Sequence, residues 1–355
     1  MKPAAMKPDY QRPLDLKRGR VDMNHGAGGR ASAQLVAELF ARAFDNEFLA
    51  QGDDGALLPL PPPGQRLVVS TDTHVISPLF FPGGDIGSLA VHGTVNDVAM
   101  MGARPVALTA GFVLEEGFAL ADLACIVESM AAAARAAGVP VVAGDTKVVE
   151  RGKGDGVFVT TTGIGFVPAG RAVGGANARA GDAVLVSGTL GDHGVAVLSK
   201  RESLAFETEI TSDSAALNGL VEALFAALPA PAVHVLRDPT RGGLATTLNE
   251  IAQQSAAGIV LDEAALPVRE QVSGACELLG LDPLYVANEG KLVAIVDAAH
   301  ADAALAALRA HPLGRDAARI GEVVADPHRF VQMRTRFGGR RMVDWLTGEQ
   351  LPRIC

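Results

Sequence analysis

Six aspartates recur at the ends of apolar runs, each among small or polar residues: Asp53 and Asp54 in GDDGA, Asp72 in STDTH, Asp97 in VNDVAM, Asp145 in AGDTK and Asp238 in RDPTRGG. Hard carboxylate oxygens in such company suit Mg2+, which keeps several waters and shares its remaining positions with phosphate oxygens. Any one of them beside glycine is an ordinary turn residue. The set, read as lacking basic neighbours, indicates a shared metal–nucleotide site. NHGAGGR, Asn24 to Arg30, adds a glycine-rich backbone ahead of a helix whose N-terminus favours anions. It is neither a Walker loop nor GxGxxG after a strand, so spacing leaves a phosphate cover and a plain hinge equally open. His25 there is either part of the cover or a solvated loop residue. RGKGDG, Arg151 to Gly156, reads as a charged hairpin turn ahead of a phosphate contact.

Two further residues have a context suited to proton transfer. Lys147 follows Asp145 by two positions at the end of an apolar strand, and Glu289 in ANEGKL stands just before another. Desolvation at such places moves a pKa toward neutrality. The alternative for Glu289 is a surface pair with Lys291. The last residue is Cys355, in LPRIC. A terminal thiol is open to oxidation and exchange, so it is a poor structural choice. Pro352 confines Leu351 to extended conformations and has no amide hydrogen, which suits a stiff, unpaired finger. From the residues alone, a chance placement of Cys355 and a functional thiol stay equally open.

The elements that must position these residues alternate between strand and helix. The chain has 355 residues, enough for two cores, and a net charge of −9, which argues against non-specific nucleic-acid binding. Three cysteines make no disulfide framework, and Cys125 and Cys276 read as small buried residues. No secretory or membrane-spanning segment is apparent, so the expected location is the cytoplasm. Residues 1–20 read as a mobile arm, and Ser32 as the N-cap of an amphipathic helix. A first α+β unit spans 21–169 and a second 170–330, followed by a strand or hairpin and tail over 331–355. The basic run Arg334, Arg336, Arg340 and Arg341 fits an acidic partner or a solvated face equally.

GDDGA, the long stretch from STDTH to PVALT, VVAGDTKVV, LRDPTRGGLATTLNEIA and VANEGKL resemble the ATP-dependent superfamily of aminoimidazole ribonucleotide synthetase. NHGAGG and the terminal PRIC are similar to its hydrogenase-maturation carbamoyl dehydratase branch, the HypE family. The likeness runs from about Val21 to Cys355. It implies a two-domain α+β fold and a homodimer whose N-terminal sheets pair into a barrel beside the ATP sites. Carried over by position, Asp54, Asp72, Asp97 and Asp145 hold Mg2+ and the phosphates, with Asp53 adjoining. Asn24, His25, Gly26, Gly28 and Gly29 cover the nucleotide, and Asp238 assists from the second domain. Lys147 and Glu289 match the proton-handling pair. Cys355 matches the residue that is carbamoylated by the carbamoyltransferase HypF and dehydrated with ATP to a thiocyanate, the cyano group then passing toward iron through HypC and HypD. The rival expectations are a small-molecule kinase or synthetase of the superfamily, such as a thiamine-monophosphate kinase, and a non-catalytic carrier with a regulatory nucleotide site. A kinase leaves the tail idle, and a carrier needs neither Lys147 nor Glu289.

Overall fold

The computed structural model describes residues 13–51, 55–204, 210–347 and 353–354. A helical stretch runs through α1 (Arg30–Leu35), a π turn over Val36–Phe40 and α2 (Ala41–Ala43). Next come β1 (Arg66–His74), the ribbon β2 (Phe80–Phe81) and β3 (Gly84–Asp85), α3 (Ile86–Met100), β4 (Arg104–Glu115), α4 (Leu120–Ala137), β5 (Val141–Val149) and β6 (Val157–Val167). Strands β1, β6, β4 and β5 form a four-stranded sheet in that order, parallel only between β4 and β5.

One face of this sheet is covered by α3 and α4. In β6, Val157, Val159, Thr161 and Gly163 are buried, while Thr160, Thr162 and Ile164 between them stay half-open. Gly163 sets how close α3 can lie: a Cβ there would sit 2.8 Å from Thr94 Cγ2 and Val98 Cγ2. That close approach brings Asp97 on α3 within reach of β1. Asp85 starts α3 as a capping box, accepting from the amides of Gly87 and Ser88. Gly138, at φ +70°, ends α4 in the left-handed region that glycine adopts freely.

The second half contains β7 (Ala183–Val186), α5 (Asp192–Arg201), α6 (Asn218–Ala227), β8 (Val233–Arg237), α7 (Gly243–Ser255), β9 (Gly258–Asp262) and α8 (Glu270–Leu279). It continues with β10 (Val293–Val296), α9 (Ala301–Ala310), β11 (Ala318–Val324), β12 (Val331–Arg334) and β13 (Arg340–Met342). Its seven strands run β13-β12-β9-β11-β7-β10-β8. The runs AVLV and VAIV of β7 and β10 are buried at every position, as strands covered on both faces must be. The hairpin expected after residue 330 is β12–β13, and it joins this sheet. Periodicity overlooked β8, β11 and α6.

Among the described residues, no helix is long and apolar enough to cross a membrane. Cys276 is buried, but Cys125 is exposed: it falls one turn after Asp122, on the outer face of α4. Ser32 is not the cap of α1. Gly29 holds that position, and the Ser32 hydroxyl instead donates to Asn24 O at 3.0 Å and accepts from the Gly28 amide at 2.9 Å.

Candidate functional site

Four of the expected acids converge where the two halves meet. Asp97 accepts a 2.8 Å hydrogen bond from Ser70 Oγ on β1, and Asp72 Oδ2 lies 3.3 Å from His74 Nε2. From the second half come Asp238, just past β8, and Glu289, in the loop before β10. Burial and neighbouring charge are visible in the acidities of Asp97, Asp238 and Glu289. Burial, followed by the charges of Asp97 and Asp72, pushes Asp238 from 3.8 up to about 7. Burial raises Glu289 well above the usual carboxylate range, and Asp238, Asp213, Asp72 and Asp97 all add to it. Asp97 is raised as well, by burial and then by Asp72. Glu289 Oε1 is buried without a hydrogen-bond partner. Arg237 opposes the shifts of Asp97 and Asp238 only in part, because its guanidinium pairs with Glu250.

Three buried polar residues that the sequence reading missed hold this cluster in place. Asn96 Nδ2 donates to Ala215 O (3.0 Å) and Glu289 O (3.2 Å), while its Oδ1 accepts from the Leu217 amide (2.7 Å). Asn288 Nδ2 donates to Pro239 O at 3.0 Å, and its Oδ1 accepts from the Gly191 amide at 2.8 Å. It thereby fixes the loop carrying Asp238 against the strand entry carrying Glu289. Asp213 accepts from the Glu289 amide (3.1 Å) and from Lys291 Nζ (3.0 Å). Lys291 is therefore a buried partner of Asp213, not a surface partner of Glu289. Burial would raise Asp213, but the Lys291 ammonium, together with the Glu289 amide, holds the carboxyl below its ordinary range.

Asp145 and Lys147 lie elsewhere. Lys147 Nζ is 2.6 and 2.7 Å from the two oxygens of Asp145, which this contact keeps low in pKa. Asp145 thus has a basic partner, contrary to the sequence reading. Its register partner on β4 is Gly111, which faces Thr160 on β6, which faces Thr73 on β1. Asp145 is consequently three strands from Asp72, about 14 Å at ordinary strand spacing.

The NHGAGG loop sits at the same end as Asp145 and Lys147. Met23–Gly26 forms a single 3-10 turn capped by Asp22, and Gly26 packs so closely on β5 that a Cβ would lie 2.8 Å from the Val148 amide nitrogen. His25 is buried, its Nδ1 accepting from the Asp22 amide at 3.0 Å, so it is a cap residue and not a solvated one. Gly28 and Gly29 face open space. Asp53 and Asp54 lie outside the described residues. Among the described residues, no three acidic, histidine or cysteine side chains are gathered closely enough to hold a metal ion.

Cys355 also lies outside the described residues, but the two residues before it dock in their own chain. Arg353 O accepts from Arg201 Nη2 (2.8 Å) and the Ser77 amide (3.2 Å); Ile354 O accepts from His193 Nε2 (2.8 Å). The Ile354 side chain is 2% exposed. Arg353 pairs with Asp155 in the RGKGDG segment, which is not the expected hairpin turn: β4 lies between β5 and β6 in the sheet, so the segment crosses the end of β4, where Glu115 holds the amides of Gly152 and Gly156. The basic run near the tail is largely paired within the chain, Arg334 with Glu322 and Arg341 with Asp282.

Residues 52–167 match the family model for the AIR synthase related protein, N-terminal domain, and residues 179–334 match its C-terminal domain. The chain is 71% identical over 350 residues to the carbamoyl dehydratase HypE of Cupriavidus necator, covering 99% of each. It is similar to a crystal structure of the hydrogenase maturation protein HypE in complex with ATP, with a TM-score of 0.89, 53% identity and coverage of 94% of this chain and 99% of that one. A chain from a HypE–HypF complex gives a TM-score of 0.77 and 51% identity, covering 88% of this chain and 99% of the other.

Proposed function

The chain belongs to the AIR synthase related family and, within it, to the HypE carbamoyl dehydratases, and from that premise we propose that it uses ATP to dehydrate an S-carbamoyl group on its own Cys355 to a thiocyanate. In this reading HypF loads the thiol, and the cyano group passes through HypC and HypD to the iron of a [NiFe] hydrogenase.

The chemistry sets three demands. The carbamoyl oxygen is a poor leaving group, so it takes the γ-phosphoryl of ATP and departs as phosphate, releasing ADP in the first step. The nitrogen sheds both protons as the C≡N bond forms, which needs a base. Phosphate charge must be offset while the oxygen attacks. Asp97 and Asp238, both raised in pKa by burial and by neighbouring carboxylates, suit with Asp72 a cation shared with ATP phosphates. Asp54, with Asp53 beside it, adds to that set in this reading. Mg2+ takes one or two carboxylates together with waters and phosphate oxygens, so a complete protein cage is not required. When bound, it offsets phosphate charge. Glu289 is buried, unpartnered at Oε1 among the described residues and placed beside this cluster, and it accepts one proton from nitrogen, the other leaving with the departing phosphate. Lys147 steadies the oxygen during phosphorylation.

Lys147 reaches the cluster only from a second subunit. Among the described residues, nothing covers the face of the four-stranded sheet opposite α3 and α4, where Val69 is 58% and Leu67 56% exposed, and β1 and β5 are its two unpaired edges. A second copy laid on this face joins each β1 to the partner's β5. The partner subunit's Asp145 and Lys147, with its Asn24–Gly29 loop, then stand beside Asp72 and Glu289. The homodimer is thus a condition of catalysis in this reading.

The observation that carries the proposal is the docking of Ile354 by His193, next to the Asp213 that holds Glu289. A small-molecule kinase has no use for it. Intact-protein mass measurement with the carbamoyl donor enzyme and ATP tests the reading. Cys355→Ala should take up no carbamoyl group, whereas Glu289→Ala should be carbamoylated and retain the water. A Glu289→Ala protein that dehydrates at the normal rate removes Glu289 from the mechanism.

A further inference from the structure

We propose that His193 is the positioning residue that seats the tail, and that Ser212–Asp213–Ser214 ties this seat to Glu289, so that the modified cysteine reaches its base through a grip on the peptide before it. The inference rests on the dehydration described above and names residues that bring the substrate to that site.

The hydrogen-bond pattern at His193 is determined by its partners. Ile354 O can only accept, so Nε2, at 2.8 Å, carries the hydrogen. Burial pushes the ring's pKa down, with Asp213 and the Ile354 carbonyl opposing. The ring is therefore neutral, and Nδ1 accepts from Ser212 Oγ at 2.7 Å. Ser212 Oγ in turn accepts from the Ser214 amide at 3.1 Å, and the Ser212 amide is anchored to Pro82 O at 2.8 Å. Phe81 meets the imidazole edge-on, 5.4 Å between centroids, which fixes its plane.

The same three residues face the chemistry on their other side. Asp213 takes the Glu289 amide and the Lys291 ammonium, and Ser214 Oγ lies 2.9 Å from His92 Nδ1 on α3, the helix that carries Asp97. One short segment thus touches the tail anchor, the backbone of the base and the acid-bearing helix. Arg201 completes the seat, its Nη2 on Arg353 O and its Nε on Ser77 O at 2.7 Å. Among the described residues, the polar contacts that hold the tail are to main-chain carbonyls, apart from the Arg353–Asp155 pair. The seat therefore does not read what the sulfur carries, and holds thiol, thiocarbamate and thiocyanate alike. Seating consequently competes with presentation of the tail to the loading enzyme.

Two rates on the full-length protein test this: alkylation of Cys355 by a small thiol reagent, and single-turnover loss of water from protein already carbamoylated. His193→Leu removes the donor and should raise the first and lower the second, each about tenfold, the size of one lost buried hydrogen bond. Loading by the carbamoyltransferase should not fall. His193→Gln places an amide N–H near the position of Nε2 and should restore both rates, which mere loss of packing would not allow. Arg201→Ala, at a half-buried position, should shift both rates the same way and guards against a His193 variant that fails to fold. If wild type dehydrates but His193→Leu and Arg201→Ala alter neither rate, or if Leu and Gln behave alike, the seat is wrong. If wild-type protein never loses water, the functional reading fails, and the alkylation rates still judge the seat.

Discussion

Two lysine–aspartate pairs in this molecule have similar contacts and opposite surroundings. Lys147 and Asp145 meet at 2.6 Å with side chains 65% and 68% exposed. Lys291 and Asp213 meet at 3.0 Å with side chains 10% and 4% exposed. An exposed pair is worth about 0–1 kcal/mol and is easily exchanged for another partner. A buried pair is a joint, because removing one member strands the other charge out of water. Lys147 is therefore free to turn toward a phosphorylating oxygen, while Lys291 is held to Asp213 and, through it, to Glu289. In the proposed mechanism, the lysine that looks tied in the single chain is the one that acts.

Substitutions can break this contrast at several strengths. Lys291→Met should cost about 3–5 kcal/mol of stability by leaving Asp213 unpaired, measurable by chemical denaturation; a loss under about 1 kcal/mol would return the pair to the surface class. Glu289→Gln keeps the shape and should slow dehydration about 10²-fold or more while ATP binding persists, as read by single-turnover mass measurement.

The third test is pH. Asp238 is raised in the folded state to about 7, so the stabilisation it allows is complete below its ordinary value of 3.8 and is lost as pH rises through 7. Glu289 shifts in the same direction. Nucleotide-free protein should therefore melt progressively lower from about pH 5 to 8, by up to about 1.4 kcal/mol per proton and pH unit. Asp238→Asn should flatten that slope. An unchanged slope would mean that burial, with Asp97 and Asp72 beside it, does not raise Asp238. The smallest stability effect belongs to Lys147→Met, expected within about 0.5 kcal/mol of wild type even though dehydration falls.

The residues that the fold gathers as Asp72, Asp97, Asp238 and Glu289 were legible as candidates before the fold. Acids beside small residues, and the NHGAGG and ANEG stretches, are local signals, and local signals survive in sequence. The helix stopped by Gly138 and the alternating β6 were equally readable. What stayed hidden depends on long-range packing. Asp213, in TSDSAA, has no pattern around it and matters only because Glu289 and Lys291 arrive from some 76 to 78 residues away. Asn96 and Asn288 stood next to suspected acids, and the signal that would have found them is a polar residue inside an otherwise apolar run. The separation of Asp145 from Asp72 follows from strand order, which no spacing along the chain encodes.

Mixing two inactive variants tests the account most directly. Lys147→Met and Glu289→Gln proteins, denatured together in equal amounts and refolded, form mixed dimers in which one of the two sites combines an intact Lys147 with an intact Glu289. If the site is built from two chains, about a quarter of wild-type dehydration should return, since half the dimers are mixed and each has one good site of two. No recovery, from a mixture shown to contain mixed dimers, would place Lys147 and Glu289 in the same chain's site and contradict the account.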